Sequence, residues 1–145
     1  MKGIVVGVDG SGHSERALEW AVKEAALRQA PLTVVTVHPP VVQYYGSVRD
    51  VQLDAALSER LRKAVREQTD KVLERLGGAV PPQVTVTAVA GFPADELLVA
   101  SVGADLVVVG ARGVGGFTDL VMGSISSQVT RHAHCPVAVI PAAGT

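Results

Sequence analysis

The segment most informative about the architecture is Leu106-Val-Val-Val-Gly110-Ala-Arg-Gly-Val-Gly-Gly-Phe-Thr-Asp-Leu-Val-Met-Gly-Ser124. It opens on an apolar run without polar alternation, which is typical of a strand buried on both faces of a sheet. A glycine-rich segment follows, and beyond it Ile125 and Val129 recur at helical spacing. The stretch therefore predicts a buried strand, a loop and a helix, which is the repeating unit of an α/β protein.

The same alternation extends over the whole chain. Short β-branched runs predict five strands, at Ile4–Val8, Leu32–Val37, Val84–Val89, Leu106–Val109 and Val137–Ile140. Apolar residues at helical spacing fill each interval between them. This order predicts a single-domain α/β protein over residues 1–145, a three-layer sandwich with a parallel sheet and right-handed crossovers. Thr and Ala alternate with Val in the third run, so we expect that strand nearer an edge.

The four predicted helices have recognisable ends. Ser14 is the expected N-cap of the first helix. The second takes its apolar face from Leu53, Leu57, Leu61, Val65, Val72 and Leu76 and ends at Gly77-Gly78. The third starts near Pro93 and ends at Gly103, and the fourth runs from Ser124 to about Ala133.

Composition excludes several classes of function. A net charge of −1 with 3% aromatic residues lacks the basic patch and the stacking platforms of nucleic-acid-binding proteins. The single cysteine, Cys135, excludes an internal disulfide and a multi-cysteine zinc site, and we expect it to be a small buried side chain. No apolar run approaches the ~18–20 residues that span a bilayer, and no signal peptide is visible. We therefore expect a cytoplasmic protein.

The glycine-rich segment has the features of an anion site. Its glycines permit positive φ angles and a close approach of another molecule to the backbone. A helix that begins at Ser124 presents free N–H groups and a positive dipole end, which favour a phosphate. The segment is neither a Walker A loop, since no Gly-Lys-Ser/Thr ends it, nor a GxGxxG fingerprint on the first strand. The alternative is that the glycines only form a long turn.

Gly110, Gly113, Gly123 and Ser124 form the pattern Gly-x2-Gly-x9-Gly-Ser. This pattern resembles the motif of the nucleotide-binding branch of the universal stress proteins, Gly-x2-Gly-x9-Gly-Ser/Thr. The opening Val-Val-Gly-Val-Asp9-Gly10-Ser11 resembles the first strand and acidic turn of the family, and residues 131–137 resemble its last turn and strand. The resemblance covers essentially the whole chain.

The resemblance implies a Rossmann-like fold similar to the adenine nucleotide alpha hydrolases, with strand order 3-2-1-4-5. It implies that ATP, or AMP or ADP, binds with Mg²⁺ or Mn²⁺ at the phosphates. Asp9 is expected beside the ribose and the metal, and the backbone of Val37 beside adenine. Two interpretations of Arg112 remain: its side chain pairs with a phosphate, or it is a solvated surface charge. The expected nucleotide-binding residues are Val8, Asp9, Gly10, Ser11, Val37, Gly110, Arg112, Gly113, Gly123, Ser124, Ile125 and Ser126.

The resemblance also implies a regulatory or stress-response protein that forms a homodimer through the edge strand Val137–Ile140. A slow ATPase and a sensor of AMP or cyclic AMP remain alternatives. The sequence offers no clear general base and no Walker lysine, which favours binding over catalysis. His13 and His38 follow the first and second strands and could reach a ligand, but we interpret both as solvent-facing loop residues. The apolar stretch at Phe117 and Leu120–Met122 is expected to pack under the loop or against a partner subunit.

Overall fold

The computed structural model describes residues 3–10, 12–41, 50–111 and 123–141. Strands and helices alternate as predicted, and the bounds of each strand lie within about one residue of the expected ones. The elements are β1 (Ile4–Gly7), α1 (Gly12–Arg28), β2 (Leu32–His38), α2 (Val51–Leu76), β3 (Val84–Ala90), α3 (Pro93–Ser101), β4 (Leu106–Gly110), α4 (Ser124–His132) and β5 (Val137–Ile140).

The five strands form one parallel sheet in the order β3-β2-β1-β4-β5. This is the order that the family resemblance implies, and it places β3 and β5 at the two edges, as expected. β1 lies at the centre, where Ile4 pairs with Leu32 on one side and with Leu106 on the other. The strand order reverses between β1 and β4, and ligands of open α/β sheets bind at the carboxyl ends of the strands at such a point.

Helices cover both faces of the sheet and form two cores. Alternate residues of each strand point to opposite faces, so Ile4 and Val6 pack toward α1 and α2, whereas Val5 packs toward α3 and α4. The helices α1 and α2 have 17 and 26 residues, and α3 and α4 have nine residues each. No helix in these ranges is long and apolar enough to cross a membrane.

The first helix begins earlier than expected. α1 starts at Gly12, so the prediction of Ser14 as its N-cap is wrong. Ser14 lies in the first turn, and its buried hydroxyl accepts a hydrogen bond from the backbone N–H of Asp9 at 3.2 Å. The serine therefore fixes the turn that leads out of β1.

The long helix α2 has two different halves. Its second half buries Val65, Thr69 and Val72 and ends at Gly77, as predicted. In its first half Leu53, one of the residues whose spacing predicted this helix, is 54% exposed. The buried residue there is Asp54, whose carboxylate accepts the N–H of Val41 at 2.6 Å. Polar contacts with the segment after β2 therefore set the orientation of this half.

Candidate functional site

A cavity of about 290 Å³ opens at the carboxyl ends of β1, β2 and β4, on the side of the sheet covered by α3 and α4. This is the switch point of the strand order, where a ligand was expected. Its lining combines apolar side chains with polar side chains and exposed backbone. The described residues that line it are Gly7, Val8, Asp9, Ser14, Val35, Val37, Pro93, Leu97, Val109, Gly110, Ala111, Gly123, Ser124, Ile125 and Ser126.

The structure brings most of the expected nucleotide-binding residues together around this cavity. Gly10 is in the turn after Asp9 but is not among the lining residues. Ser11, Arg112 and Gly113 lie outside the described residues, as does the apolar stretch 117–122. The expected residues that line the cavity are Val8, Asp9, Val37, Gly110, Gly123, Ser124, Ile125 and Ser126.

The turn that carries Asp9 is fixed by hydrogen bonds from its backbone. The N–H of Val8 donates to the carbonyl of Val35 at 2.9 Å, which extends the ladder one residue past β1. The next N–H, of Asp9, donates to the hydroxyl of Ser14. Gly10 then has a φ of +83°, a conformation that glycine adopts without strain, and the chain enters α1. The exposed Asp9 is thereby held at the edge of the cavity.

The amino-terminal end of α4 faces the cavity. The backbone bond from the N–H of Ser127 to the carbonyl of Gly123, at 3.0 Å, closes the first helical turn. The N–H groups of Ser124, Ile125 and Ser126 therefore precede the helical ladder, and Gly123 provides no side-chain cap. With the positive end of the helix dipole, these groups favour a negatively charged ligand.

The two ends of the glycine-rich segment are joined to each other and to the sheet. The N–H of Gly123 donates to the carbonyl of Ala111 at 2.7 Å, and the N–H of Ala111 donates to the carbonyl of Ile140 at 2.8 Å. The buried hydroxyl of Ser126 lies 3.1 Å from the carbonyl oxygen of Ala111 and 3.0 Å from that of Gly123. Because this hydroxyl is engaged with the backbone, Ser126 offers its N–H rather than its side chain to a ligand.

The described lining contains one carboxylate, that of Asp9, and no lysine, arginine or histidine. Within residues 3–10, 12–41, 50–111 and 123–141, no three His, Cys, Asp or Glu side chains form a group that could hold a metal ion. The donors that face the cavity are therefore backbone N–H groups and serine hydroxyls. Such donors suit the oxygens of a phosphate better than a bare metal ion.

The sequence matches the universal stress protein family over residues 1–141. The chain belongs to this family. A universal stress protein of Mycobacterium tuberculosis is 38% identical in an alignment 151 residues long, which covers 96% of this chain and 48% of that relative. One of Thermus aquaticus is 36% identical over 141 residues, which cover 96% of this chain and 98% of the relative. This chain thus spans about half the length of its mycobacterial relatives.

Solved structures of the family have the same fold. The universal stress protein UspA of Lactobacillus plantarum superposes with a TM-score of 0.73 at 28% identity, covering 94% of this chain and 95% of that chain. A universal stress protein in complex with cAMP superposes with a TM-score of 0.68 at 25% identity, covering 97% of this chain and 96% of that chain. A universal stress protein from Archaeoglobus fulgidus in complex with dAMP superposes with a TM-score of 0.64 at 26% identity, covering 95% of this chain and 96% of that chain. Adenine nucleotides are therefore ligands of two structures similar to this universal stress protein.

Several residues around the cleft of this universal stress protein were not predicted from the sequence. Ser14, Pro93 and Leu97 line it, but each comes from a helix whose position depends on tertiary packing. Pro93 was recognised only as a helix start. The one signal for Leu97 is its place in the short helix that follows an expected edge strand, which does not specify where its side chain points.

The interpretation of His38 as solvent-facing is wrong. It is 4% exposed, because it ends β2 and α2 covers it. Its Nδ1 is 2.8 Å from the carbonyl oxygen of Pro39, and its Nε2 is 2.7 Å from the hydroxyl of Ser58. A carbonyl oxygen only accepts, so Nδ1 carries a proton and donates to Pro39, while Nε2 and the Ser58 hydroxyl form the second hydrogen bond. With Asp54, this pair holds the segment that follows Val37.

Cys135 is half-buried, so it is less buried than expected. It lies between α4 and β5, where its thiol is 3.4 Å from the carbonyl oxygen of Pro136. Burial raises the pKa of the Cys135 thiol, and the negative charge of Asp105 adds to this effect. A raised pKa disfavours the reactive thiolate, so nothing here indicates a nucleophile.

Proposed function

We propose that this universal stress protein binds an adenine nucleotide, ATP or a shorter form, and acts as a regulatory or stress-response protein. The observation that carries the proposal is the amino-terminal end of α4, which has no side-chain cap and lines a cavity that also contains apolar side chains. A nucleotide needs both kinds of surface, because its base is planar and largely apolar and its phosphate is charged. The cAMP and dAMP complexes of similar structures support the choice of adenine.

The base is proposed to lie beside Val37, which lines the cavity. The pairing of β1 with β2 ends at Gly7 and Val35, and Val37 lies two residues farther along β2. Val35 directs its carbonyl toward β1, where it accepts the N–H of Val8. Alternate residues of a strand direct their backbone groups to the same side, so those of Val37 point toward the cavity beyond the end of β1. They can therefore pair with the edge of an adenine ring.

The phosphates are proposed to lie against the start of α4 and the glycine-rich segment. One contact with a helix dipole contributes about 0.3–1 kcal/mol, and up to ~2 kcal/mol where it is partly buried. Micromolar affinity requires about 8 kcal/mol, so several donors must converge on the ligand. The N–H groups of Ser124, Ile125 and Ser126 and the hydroxyl of Ser124 provide such a set, to which Gly110, Arg112 and Gly113 are proposed to add.

A divalent metal fits this site only together with the phosphates. Mg²⁺ usually keeps several waters and binds to one or two carboxylates and to phosphate oxygens. Asp9 is the carboxylate that lines the described cavity, and it would hold Mg²⁺ or Mn²⁺ there. The ion would supply positive charge to a triphosphate, since no described lining residue is basic. Asp9, together with Val8, Gly10 and Ser11, would also border the ribose.

Isothermal titration calorimetry of the protein with ATP, with and without Mg²⁺, tests the proposal. Ser124→Asp is the informative variant, because an acidic residue in the first turn favours the helix but repels a phosphate. We expect Ser124→Asp to lower ATP affinity at least about tenfold with unchanged or higher thermal stability. Ser124→Asn is the control, because asparagine has the shape of aspartate without its charge, and it should lose less ATP affinity. No ATP binding by the wild-type protein, or equal binding by both variants, would contradict the phosphate assignment.

A sensor of AMP or cyclic AMP is the second candidate, and the cAMP and dAMP complexes of similar structures support it. Competition of ATP, ADP, AMP and cyclic AMP for the same protein distinguishes the two. A protein that prefers ATP in the presence of Mg²⁺ matches the first candidate, and one that prefers a monophosphate without metal matches the second. Turnover of ATP, with Asp9→Ala as the control, tests the remaining possibility of slow hydrolysis.

We also propose a homodimer through β5. This strand is at one edge of the sheet, and Val137, Ala138 and Val139 are half-buried. A second copy would cover the open edge, which is otherwise available for unwanted pairing. Sedimentation velocity of the wild-type protein and of Val139→Asp tests this. A dimer that becomes a monomer in the variant supports the proposal, and a wild-type monomer at high concentration rejects it.

A further inference from the structure

The floor of the cavity contains a notch at Gly7. Gly7 pairs with Val35 on β2, and the register of β1 with β4, in which Val6 pairs with Val108, brings Val109 beside Gly7. Val35 and Val109 are both buried and belong to the core on the α3/α4 side. Between these two side chains Gly7 presents only backbone. The row Val35–Gly7–Val109 is therefore open at its centre.

Leu97 of α3 occupies this notch. It is buried, and a β-carbon added to Gly7 would lie 2.8 Å from its Cδ1 and 3.0 Å from its Cδ2. Carbon atoms pack best at about 3.5–4.0 Å, so a side chain at position 7 and the observed Leu97 position exclude each other. Both residues line the cavity. Elsewhere Leu97 is packed among buried valines, including Val5, Val107 and Val129, so the cavity is the side into which it can move.

We propose that the contact between Gly7 and Leu97 sets the depth of the base-binding end of the cleft and so selects a two-ring purine over a one-ring pyrimidine. The inference rests on the proposed function. Glycine at position 7 lets Leu97 lie against β1, which leaves room above it for the wider base. A side chain at position 7 raises Leu97 into that room, and the larger base loses more than the smaller one.

The test compares Gly7→Ala with Gly12→Ala. A β-carbon at Gly12, the first residue of α1, would meet no atom within 4 Å, so this control adds the same methyl group without a clash. The dissociation constants of AMP and CMP are measured for each variant. We expect the preference for AMP over CMP to fall at least about tenfold in Gly7→Ala and to stay within twofold of wild type in Gly12→Ala. An unchanged preference in Gly7→Ala overturns the inference.

A second substitution tests whether Leu97 transmits the effect. Adding Leu97→Val to Gly7→Ala removes the δ-carbons that clash, and we expect it to restore most of the preference for AMP. Leu97→Phe, which leaves β1 unchanged, fills the same space and should reduce the preference even if Gly7→Ala folds poorly. Failure of the double variant to recover, or full preference in Leu97→Phe, overturns the inference.

A crystal structure of ligand-free Gly7→Ala gives a readout that does not depend on affinity. Displacement of Leu97 into the cavity supports the inference, and displacement away from the cavity overturns it. The wild-type protein separates this inference from the proposed function. Equal affinity for AMP and CMP overturns the selection of purines alone, whereas binding of neither nucleotide overturns the proposed function as well.

Discussion

The two faces of the sheet are covered to different degrees. On one face, α1 and α2 lie along the strands, and the core there includes the fully buried Leu18, Val34 and Val108. On the other face, α3 and α4 have nine residues each and leave the carboxyl ends of β1, β2 and β4 uncovered. The cavity lies in the space that these short helices do not fill. Long helices close one face, and short helices leave room for a ligand on the other.

This difference separates the residues that stabilise the fold from those that line the cleft. A side chain in the closed core contributes to stability through burial, and its removal leaves a cavity that costs additional free energy. A side chain at the cleft is in contact with an opening already, so its removal creates less new void. Substitutions in the closed core should therefore change mainly the free energy of unfolding, whereas substitutions at the cleft should change mainly the ligand affinity.

The largest expected effect is on the closed face. Leu18→Ala should lower the free energy of unfolding by about 2–5 kcal/mol, because Leu18 is 0% exposed and its neighbours are tightly packed. Urea unfolding followed by circular dichroism measures this. Leu27→Ala on the same helix is the control, since Leu27 is 82% exposed and should change stability by no more than about 0.5 kcal/mol. Equal effects of the two variants would contradict the burial of α1.

A direct comparison of the faces uses two neighbours on β4. Val108 points to the closed core and Val109 lines the cavity. Val108→Ala should lower the free energy of unfolding by about 2 kcal/mol and leave nucleotide affinity nearly unchanged, because two buried methyl groups are lost. Val109→Ala should cost less stability and weaken nucleotide binding more. Urea unfolding and calorimetry measure the two quantities for both variants. A larger loss of stability in Val109→Ala than in Val108→Ala would contradict the assignment of the two residues to different faces.

A smaller effect is expected where the cleft meets α4. Ser126→Ala removes the hydroxyl that lies against the carbonyls of Ala111 and Gly123 and should lower the free energy of unfolding by about 1 kcal/mol. Nucleotide affinity should fall several-fold at most, since the N–H of residue 126 is retained. Ser127→Ala, one residue farther along α4, is the control. Complete loss of binding in Ser126→Ala would indicate a direct role for the hydroxyl.

The smallest expected effect concerns Cys135, on the more open face. Burial raises the pKa of its thiol, so at pH 7–8 the folded protein holds less thiolate than a free cysteine does. Its alkylation by iodoacetamide should therefore be slower than that of the urea-unfolded chain, and should reach its maximum rate at a higher pH. Mass spectrometry over time measures the rate. Equal pH profiles for folded and unfolded protein would show that this part of the open face does not shield the thiol.

Local patterns predicted the strands well because β-branched runs such as Leu106–Val109 favour an extended chain whatever surrounds them. They failed where a tertiary contact competes with a local rule. Ser14 has the chemistry of an N-cap, but its hydroxyl serves the turn at Asp9. Leu53 follows the helical period of the buried residues, but Asp54 takes the inward position there because it bonds the segment after β2.

For the candidate site, the sequence pointed to the glycine-rich segment but not to the side chains that α3 contributes to the lining. The spacing of Gly110, Gly123 and Ser124 along the chain pointed to the segment that lies beside the cavity. The side chains of Pro93 and Leu97 approach from α3, and no local pattern specifies how a helix is seated on a sheet. The same holds for His38, whose burial depends on the position of α2.

The alternation of strands and helices and the buried character of the central strands could be predicted from local periodicity and composition, and the glycine spacing located the segment whose ends lie beside the cavity. The identity of the side chains that line the cleft could not be predicted in this way, because it depends on contacts between residues far apart in the chain. Gly7 illustrates the difference: in the sequence it is one glycine in a strand, and in the folded protein it is the notch that receives Leu97.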